Sequence, residues 1–413
     1  MHSPKTTGSL DRRDAPAPAL LALLVAIASI GPMSLNIVMP ALPGIAVALK
    51  ADPVTVQLTL SLYLVCMALS QLVLGVLSDR FGRRPVLIGG LLLTVAASVV
   101  ATFATTIGAL VTARAVQAFG ASCGIVISRA IVRDLFARDR AASMLGWVTM
   151  VIMVVPMIVP PLGGLLDTTL GWPSIFASIA LFAAAVLAWV WIALPETNAE
   201  PLASGGLVRF FQEVRLLLAS RVFLGYVLSG ATSSALFFVF LGGAPHVISR
   251  LQGRSAFELG VWLATASVAY MAGNFISARY SMRFGVDAMV AAGSAVGVAG
   301  GICVIVLVLW FADLGPLIIC LPQWITAFAN GLLIPNAIAG GISVRPQAAG
   351  TAAGIHGFVQ MGVAAASAQW VSHLLAQAPD AAPMAWMLLA FSLACAVSFV
   401  CLILPGSAAR RAD

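Results

Sequence analysis

The sequence predicts an all-α membrane protein of twelve transmembrane helices, arranged as two six-helix halves. Three observations carry that prediction. Of the 413 residues, 61% are hydrophobic and only 9% are charged, whereas a soluble domain carries about 25% charged residues because its surface faces water. Apolar runs long enough to cross a bilayer, which takes about 20 residues each, recur twelve times. The least hydrophobic internal stretch, about 195–220, divides those runs six and six.

The first run, 18–40, follows a short basic tail with Lys5, Arg12 and Arg13. It is too long for a cleaved signal core and further spans follow it, so it reads as an uncleaved first helix. The next five runs occupy 54–77, 85–106, 108–130, 143–166 and 173–194. The second half has runs at 222–242, 258–279, 288–312, 315–342, 349–375 and 382–404. Inside hydrocarbon each must be helical, since no water is present to satisfy the backbone. Their many Gly, Ala and Pro residues suit close helix packing, and the long tenth and eleventh runs leave room for tilt. The expected domains are a tail at 1–15, a bundle at 16–195, a linker at 196–220, a second bundle at 221–405 and a tail at 406–413.

Basic residues set the expected orientation. With the N-terminus inside, eighteen of the 22 Lys and Arg residues fall in the tails and inner loops, and only Lys50, Arg250 and Arg254 fall outside. The positive-inside rule then places both termini in the cytoplasm. The net charge of +7 is spread through loop anchors rather than gathered on one face, which argues against a nucleic-acid partner. Six cysteines lie inside apolar runs without paired spacing, and read as packing residues rather than disulfide or metal sites. Neither a metal-ligating cluster, a phosphate-cradling loop nor a nucleophile constellation is apparent, so no cofactor and no enzymatic activity are expected. The expected partners are a small-molecule substrate, the bilayer and protons, with the chain acting as a monomer in the inner membrane.

The most specific motif joins the second and third spans: Gly75-Val76-Leu77-Ser78-Asp79-Arg80-Phe81-Gly82-Arg83-Arg84-Pro85. Gly75 and Gly82 allow close helix approach and a tight turn, and a carboxylate at the membrane edge such as Asp79 needs a partner. A weaker echo, Arg283-Phe284-Gly285, stands at the equivalent place in the second half, as duplicated transporter halves produce. The eleven-residue motif resembles the cytoplasmic signature of the major facilitator superfamily. That resemblance implies a gating charge cluster in which Asp79 pairs with nearby arginines and with Asp134, beside Arg133.

The fourth span carries Leu110, Arg114, Gln117 and Gly120, which is similar to the arginine-centred motif of drug–proton antiporters. Arg114 is the one strong charge well inside a span. It either faces the bundle interior with polar partners or snorkels to the nearby interface. The fifth span, with Pro156, Pro160, Pro161, Gly163 and Gly164, resembles the proline- and glycine-rich signature of exporters, except that Val155 stands where a glycine usually precedes the proline. Met39-Pro40-Ala41-Leu42-Pro43, Val56-Gln57-Leu58-Thr59, Arg129-Ala130-Ile131-Val132-Arg133-Asp134 and Leu194-Pro195-Glu196-Thr197 resemble the bicyclomycin-resistance (Bcr/CflA) type of multidrug exporter. The resemblance implies drug efflux coupled to proton entry. One departure matters: relatives often carry an aspartate where this chain has Asn36, and asparagine cannot exchange a proton.

Candidate pathway residues near mid-span are Asn36, Tyr63, Arg114, Gln117, Met153, Phe237, Phe238, Tyr270, Asn274, Trp324, Asn330, His356 and Gln360. Met150, Met153 and Met157 share one helical face. Thioethers and aromatics pack helices, and they also adapt to varied lipophilic cargo. His356 is either a hydrogen-bonded core histidine or a titrating group. The expected function is export of lipophilic molecules by alternating access; a metabolite carrier of the same fold is the alternative.

Overall fold

The computed structural model describes residues 18–135, 138–198, 206–345 and 348–405. Among them the regular structure is helical, and twelve helices are long. In chain order these are α1 (Pro18–Asn36), α2 (Pro53–Phe81), α3 (Arg83–Thr102), α4 (Ile107–Leu135), α5 (Arg138–Leu170) and α6 (Pro173–Ala193). After a linker helix, Gly206–Leu218, come α7 (Arg221–Ala244), α8 (Ala256–Phe284), α9 (Val286–Trp310), α10 (Leu317–Val344), α11 (Ala349–Ala376) and α12 (Ala382–Ser398).

Ten helical stretches are long and apolar enough to cross a membrane, and α5 adds a shorter one at Val154–Leu170. The polar residues His356, Gln360 and Gln369 lie in mid-helix on α11. Four helices, α2, α4, α5 and α8, overrun their apolar runs by about a turn at the Arg-rich end, because helix geometry continues into the interface until a residue stops it. Asp52 starts α2 by accepting the Thr55 amide at 2.9 Å, with Pro53 in the first turn, where its missing N–H costs nothing. Gly82 ends α2 at φ 98°. The first run departs from expectation: α1 stops at Asn36, and the chain continues as a tight turn at Met39–Ala41 and a short helix at Leu42–Ala48. Pro40 and Pro43 lack the amide hydrogens that one continuous helix needs there.

Within the first half α4 packs on α1, α2 and α3, and α6 on α3; within the second, α10 packs on α7, α8 and α9. The halves meet along two seams, α5 against α8 and α2 against α11. The apolar core differs between the two ends of the molecule. At the end opposite the Arg-rich loops, one buried cluster runs through both halves, from Ile37, Tyr63 and Ile175 to Phe240, Leu259 and Leu375. At the Arg-rich end the buried clusters are separate, one in the first half around Leu24, Leu91 and Ile131 and two in the second around Tyr226 and Phe223.

Candidate functional site

The charged turn between α2 and α3 is built around Arg83, whose side chain is buried between two carboxylates. Its Nε donates to Asp134 on α4 at 2.9 Å, and Nη1 donates to Asp79 and to Ser78 Oγ. The sequence therefore brings Asp79 and Asp134 together through Arg83. Arg84 takes another route, donating to the Trp191 carbonyl at 2.8 Å and lying over the Trp191 ring. Arg80 lies over the ring of Phe81. The Arg133 side chain lies outside the described residues.

Two partners of this turn were not apparent as site residues in the sequence. Glu196, just after α6, accepts the Arg83 amide at 2.9 Å and the Arg84 amide at 3.1 Å, capping the N-terminus of α3 where the helix dipole favours an anion. Burial raises the Glu196 pKa somewhat, but the amides of Asn198, Arg83, Arg84 and Thr197 outweigh it and hold the carboxyl below its ordinary range. Asn198 Nδ2 donates to the Asp79 carbonyl at 2.9 Å. The only sequence signal was the phrase Leu194-Pro195-Glu196-Thr197. Gly82 is doubly required: its φ is positive, and a Cβ there would sit 2.6 Å from Glu196 Oε2. Gly285 repeats the turn in the second half at φ 84°, and Arg283 lies over Phe284 at 5.4 Å as Arg80 lies over Phe81 at 5.3 Å. Gly75 corrects the expectation of close helix approach: a Cβ there meets nothing within 4 Å among the described atoms. It lies at the Arg-rich end, where the buried cores of the two halves are separate.

Arg114 does not snorkel. It is 1% exposed and donates to the Ser34 carbonyl at 2.9 Å, the Thr59 carbonyl at 3.3 Å and Gln117 Oε1. Its guanidinium lies 4.2 Å above the Tyr63 ring, a cation–π contact of about 2 kcal/mol in a desolvated setting. Gln117 passes the network to Ser98 Oγ at 2.6 Å, and Tyr63 reaches the Gly31 carbonyl. The arginine thus ties α1, α2 and α4 together. Asn36 donates to Pro32 O at 2.8 Å and is buried in the same half.

A cavity of about 190 Å³ lies mid-molecule, lined by Phe237, Phe238, Tyr270, Ala327 and Ile334 with Ser234, Ser267, Asn330 and Gln360, and met by Pro156 from α5. Phe237 and Phe238 meet edge to face. Asn330 accepts from Ser233 Oγ and Gln360 donates to Ser234. Of the residues expected along the pathway, Phe237, Phe238, Tyr270, Asn330 and Gln360 come together here. Asn36, Tyr63, Arg114, Gln117, Asn274, Trp324 and His356 do not line this cavity. Asn274 donates to the Tyr270 carbonyl, and Trp324 stacks on Trp262 while its indole donates to Thr265. His356 is 2% exposed, packs against Gly230, and neither ring nitrogen has a hydrogen-bond partner among the described residues. It lies one helical turn from Gln360. The Met153 side chain lies outside the described residues.

The seams close the end opposite the Arg-rich loops. Gly163 abuts the Ile37 carbonyl of the first half. A Cβ on Gly164 would lie 2.5 Å from the Ala256 carbonyl oxygen, and one on Gly260 would lie 2.5 Å from the Pro160 carbonyl oxygen. Along the other seam Ser61 Oγ donates to Gln369 Oε1 at 2.9 Å, and Gln369 Nε2 donates to the Val54 carbonyl at 3.0 Å. Gln369 carried no sequence signal beyond its polarity inside an apolar run. Among the described residues no group of three His, Cys, Asp or Glu side chains could hold a metal ion.

Two repeated six-helix halves around a central, uncharged cavity define a polytopic membrane carrier. The family model of the Major Facilitator Superfamily matches residues 24–368, and the chain belongs to that superfamily. It is 28% identical to a bicyclomycin resistance protein homolog of Haemophilus influenzae, over 86% of this chain and 88% of the relative. It is 31% identical to a chloramphenicol resistance protein of Pseudomonas aeruginosa, over 78% of this chain and 76% of the relative. Multidrug resistance protein D of Escherichia coli is 27% identical over 83% of this chain and 85% of the relative. Among solved structures, a bacterial homolog of the human lysosomal transporter Spinster superposes with a TM-score of 0.71 at 14% identity, covering 95% of this chain and 97% of that one. The human organic anion transporter MFSD10 gives 0.67 at 19% identity, covering 94% of this chain and 100% of that one. The chain is a multi-pass protein of the bacterial inner membrane that binds a small-molecule substrate.

Proposed function

We propose that this protein is a drug efflux transporter that exports lipophilic small molecules by alternating access, as a monomer and in exchange for protons. Relatives named for resistance to bicyclomycin, chloramphenicol and multiple drugs support efflux. The observation that carries the choice of cargo is the cavity wall: aromatic and aliphatic side chains with five hydroxyl or amide groups and, among the described residues, no carboxylate. A carboxylate about 5 Å from a monocation would contribute roughly 3 kcal/mol at an effective dielectric near 20, more than a hundredfold in affinity. Without one, the preferred cargo is neutral, zwitterionic or weakly acidic.

The Arg-rich end is assigned to the cytoplasm by the positive-inside rule. On that assignment the continuous core and both seams close the periplasmic side, and the separate cores leave the cytoplasmic side parted, which is an inward-facing arrangement. The Asp79–Arg83–Asp134 turn, with Gly75 beside it, is then the gate that engages when the cytoplasmic ends come together. Proton exchange is assigned to His356 or to the Asp79–Asp134 pair, since Asn36 cannot serve.

The test is a resistance panel in an efflux-deficient host. Wild type should raise resistance to neutral and zwitterionic lipophilic antibiotics and leave susceptibility to ethidium-like permanent cations unchanged. Asn330→Asp, which places an acid in the cavity wall, should add cation export. Strong wild-type export of permanent cations would overturn the charge argument. In the same strain, a cysteine at Ala219 should label only from the cytoplasm and one at Thr105 only from the periplasm; reversed labelling would overturn the orientation.

A further inference from the structure

A second and larger cavity, about 450 Å³, lies at the end opposite the Arg-rich loops, between the α1–α2 connection, the start of α2, the end of α7 and α11. It is separate from the cavity assigned to transport. Gln360 of the central cavity and Ser372 of the outer one are twelve residues apart on α11, about 18 Å along the helix axis. The Ser61–Gln369 hydrogen bond crosses the seam one turn below Gln57, between the two cavities. The outer cavity has two chemically different walls. One is apolar, formed by Leu42, Ala46 and Val47 of the short helix. The other carries Gln57, His246, Ser249 and Arg250.

That second wall is built and unpaired. Gln57 is 3% exposed, yet its Nε2 has no hydrogen-bond partner among the described residues, and neither does the buried Ser249 Oγ. A buried amide N–H without a partner is costly, and here it stands at the wall of a cavity from which an acceptor can reach it. Beyond Ala244, α7 continues as a wider π-type turn over Pro245–Leu251, an irregularity often found at functional sites. It is this turn that presents His246, Ser249 and Arg250. The described ion pairs do not include Arg250. Asp52, beside the lining residues Ala51 and Pro53, spends its carboxylate on Thr55 at the start of α2. The wall therefore offers donors and positive charge.

We propose that this outer cavity is a binding site for an amphiphile with an anionic, hydrogen-bond-accepting head: the head against Gln57, Ser249 and Arg250, the apolar body against the short helix. The site does not depend on the reading of the central cavity, and its test measures binding rather than transport. The same head chemistry belongs to a free lipophilic carboxylate and to an acidic lipid, and the experiment separates the two.

The probe is dansylundecanoate, titrated by fluorescence onto the full-length protein in phosphatidylcholine nanodiscs and corrected against empty discs. Charge-assisted hydrogen bonds are roughly twice as strong as neutral ones, so the acid should bind about tenfold more tightly than its methyl ester. Gln57→Leu should weaken the acid about fivefold or more, as expected for loss of a buried donor to a charged group. Arg250→Gln, at an exposed and screened position, should cost about threefold and flatten the salt dependence. Val47 is 80% exposed at the rim, and Val47→Lys should tighten binding, a gain that no misfolded protein would give. Asn330→Ala, in the central cavity, should leave the component of binding that depends on Gln57 and Arg250 unchanged. In phosphatidylglycerol discs, a loss of probe affinity that Gln57→Leu removes assigns the occupant to lipid, and an unchanged affinity assigns it to the free acid; both uphold the site. Equal binding of acid and ester overturns it. So does loss of binding in Asn330→Ala with none in Gln57→Leu, which would place the probe in the central cavity.

Discussion

Arg114 shows how a single buried charge can organise one half of a membrane protein. A guanidinium presents five donors in a planar fork, and here the fork serves the Ser34 and Thr59 carbonyls and Gln117 on three different helices. Removing it leaves Gln117 Oε1 buried without its donor, at about 1–3 kcal/mol, and takes the guanidinium's hydrogen bonds from the Ser34 and Thr59 carbonyls. Arg114→Ala should therefore lower thermal stability in detergent markedly and abolish drug export. Arg114→Lys restores the charge without the fork, and should recover insertion and part of the stability but only a fraction of the export. Wild-type export and melting in both variants would reduce Arg114 to a dispensable charge. The residue and its intramembrane position were legible in the sequence, because a lone arginine in an apolar run must find a partner. Its partners were not legible, since two of the three are backbone carbonyls, which every residue has.

At the scale of elements, the glycines of α5 define how the halves approach. Gly164 and Gly260 stand where a Cβ would meet backbone atoms of the facing helix, and backbone cannot yield as a side chain tip can. Gly164→Val should therefore push α5 and α8 apart and destabilise the closed seam at the end opposite the Arg-rich loops. A cysteine pair across that seam should cross-link in wild type and cross-link several-fold more slowly in the variant, with export impaired. Unchanged cross-linking would mean that the seam tolerates side-chain volume. The sequence placed Gly163 and Gly164 in an exporter-like motif but did not separate their partners: Gly163 faces the Ile37 carbonyl of its own half and Gly164 faces α8. It also suggested close approach at Gly75, where the structure shows open space among the described atoms. The turn at Gly82 and its repeat at Gly285 were readable from spacing, and both carry the positive φ that explains them.

For the whole molecule, the count of spans, their division into halves and the split of basic residues all follow from length, apolarity and charge, which act along the chain. What joins the halves did not follow, because it depends on which helix faces set against one another: Gln369 bridging to Ser61 and Val54, and a core continuous at one end and divided at the other. The strap from Glu196 and Asn198 to the α2–α3 turn has a further consequence, for biosynthesis. Every described partner of Arg83 and Asp79, from Ser78 and Asp134 to Asn198, precedes the linker helix. The charged turn can accordingly assemble while the second half is still on the ribosome, whereas the shared core must wait for α7 and α8. A nascent chain ending at Asn198 should insert with the Arg80–Arg84 turn already resistant to trypsin and its opposite end still labile; rapid cleavage of that turn would show that it is set only when the second half arrives.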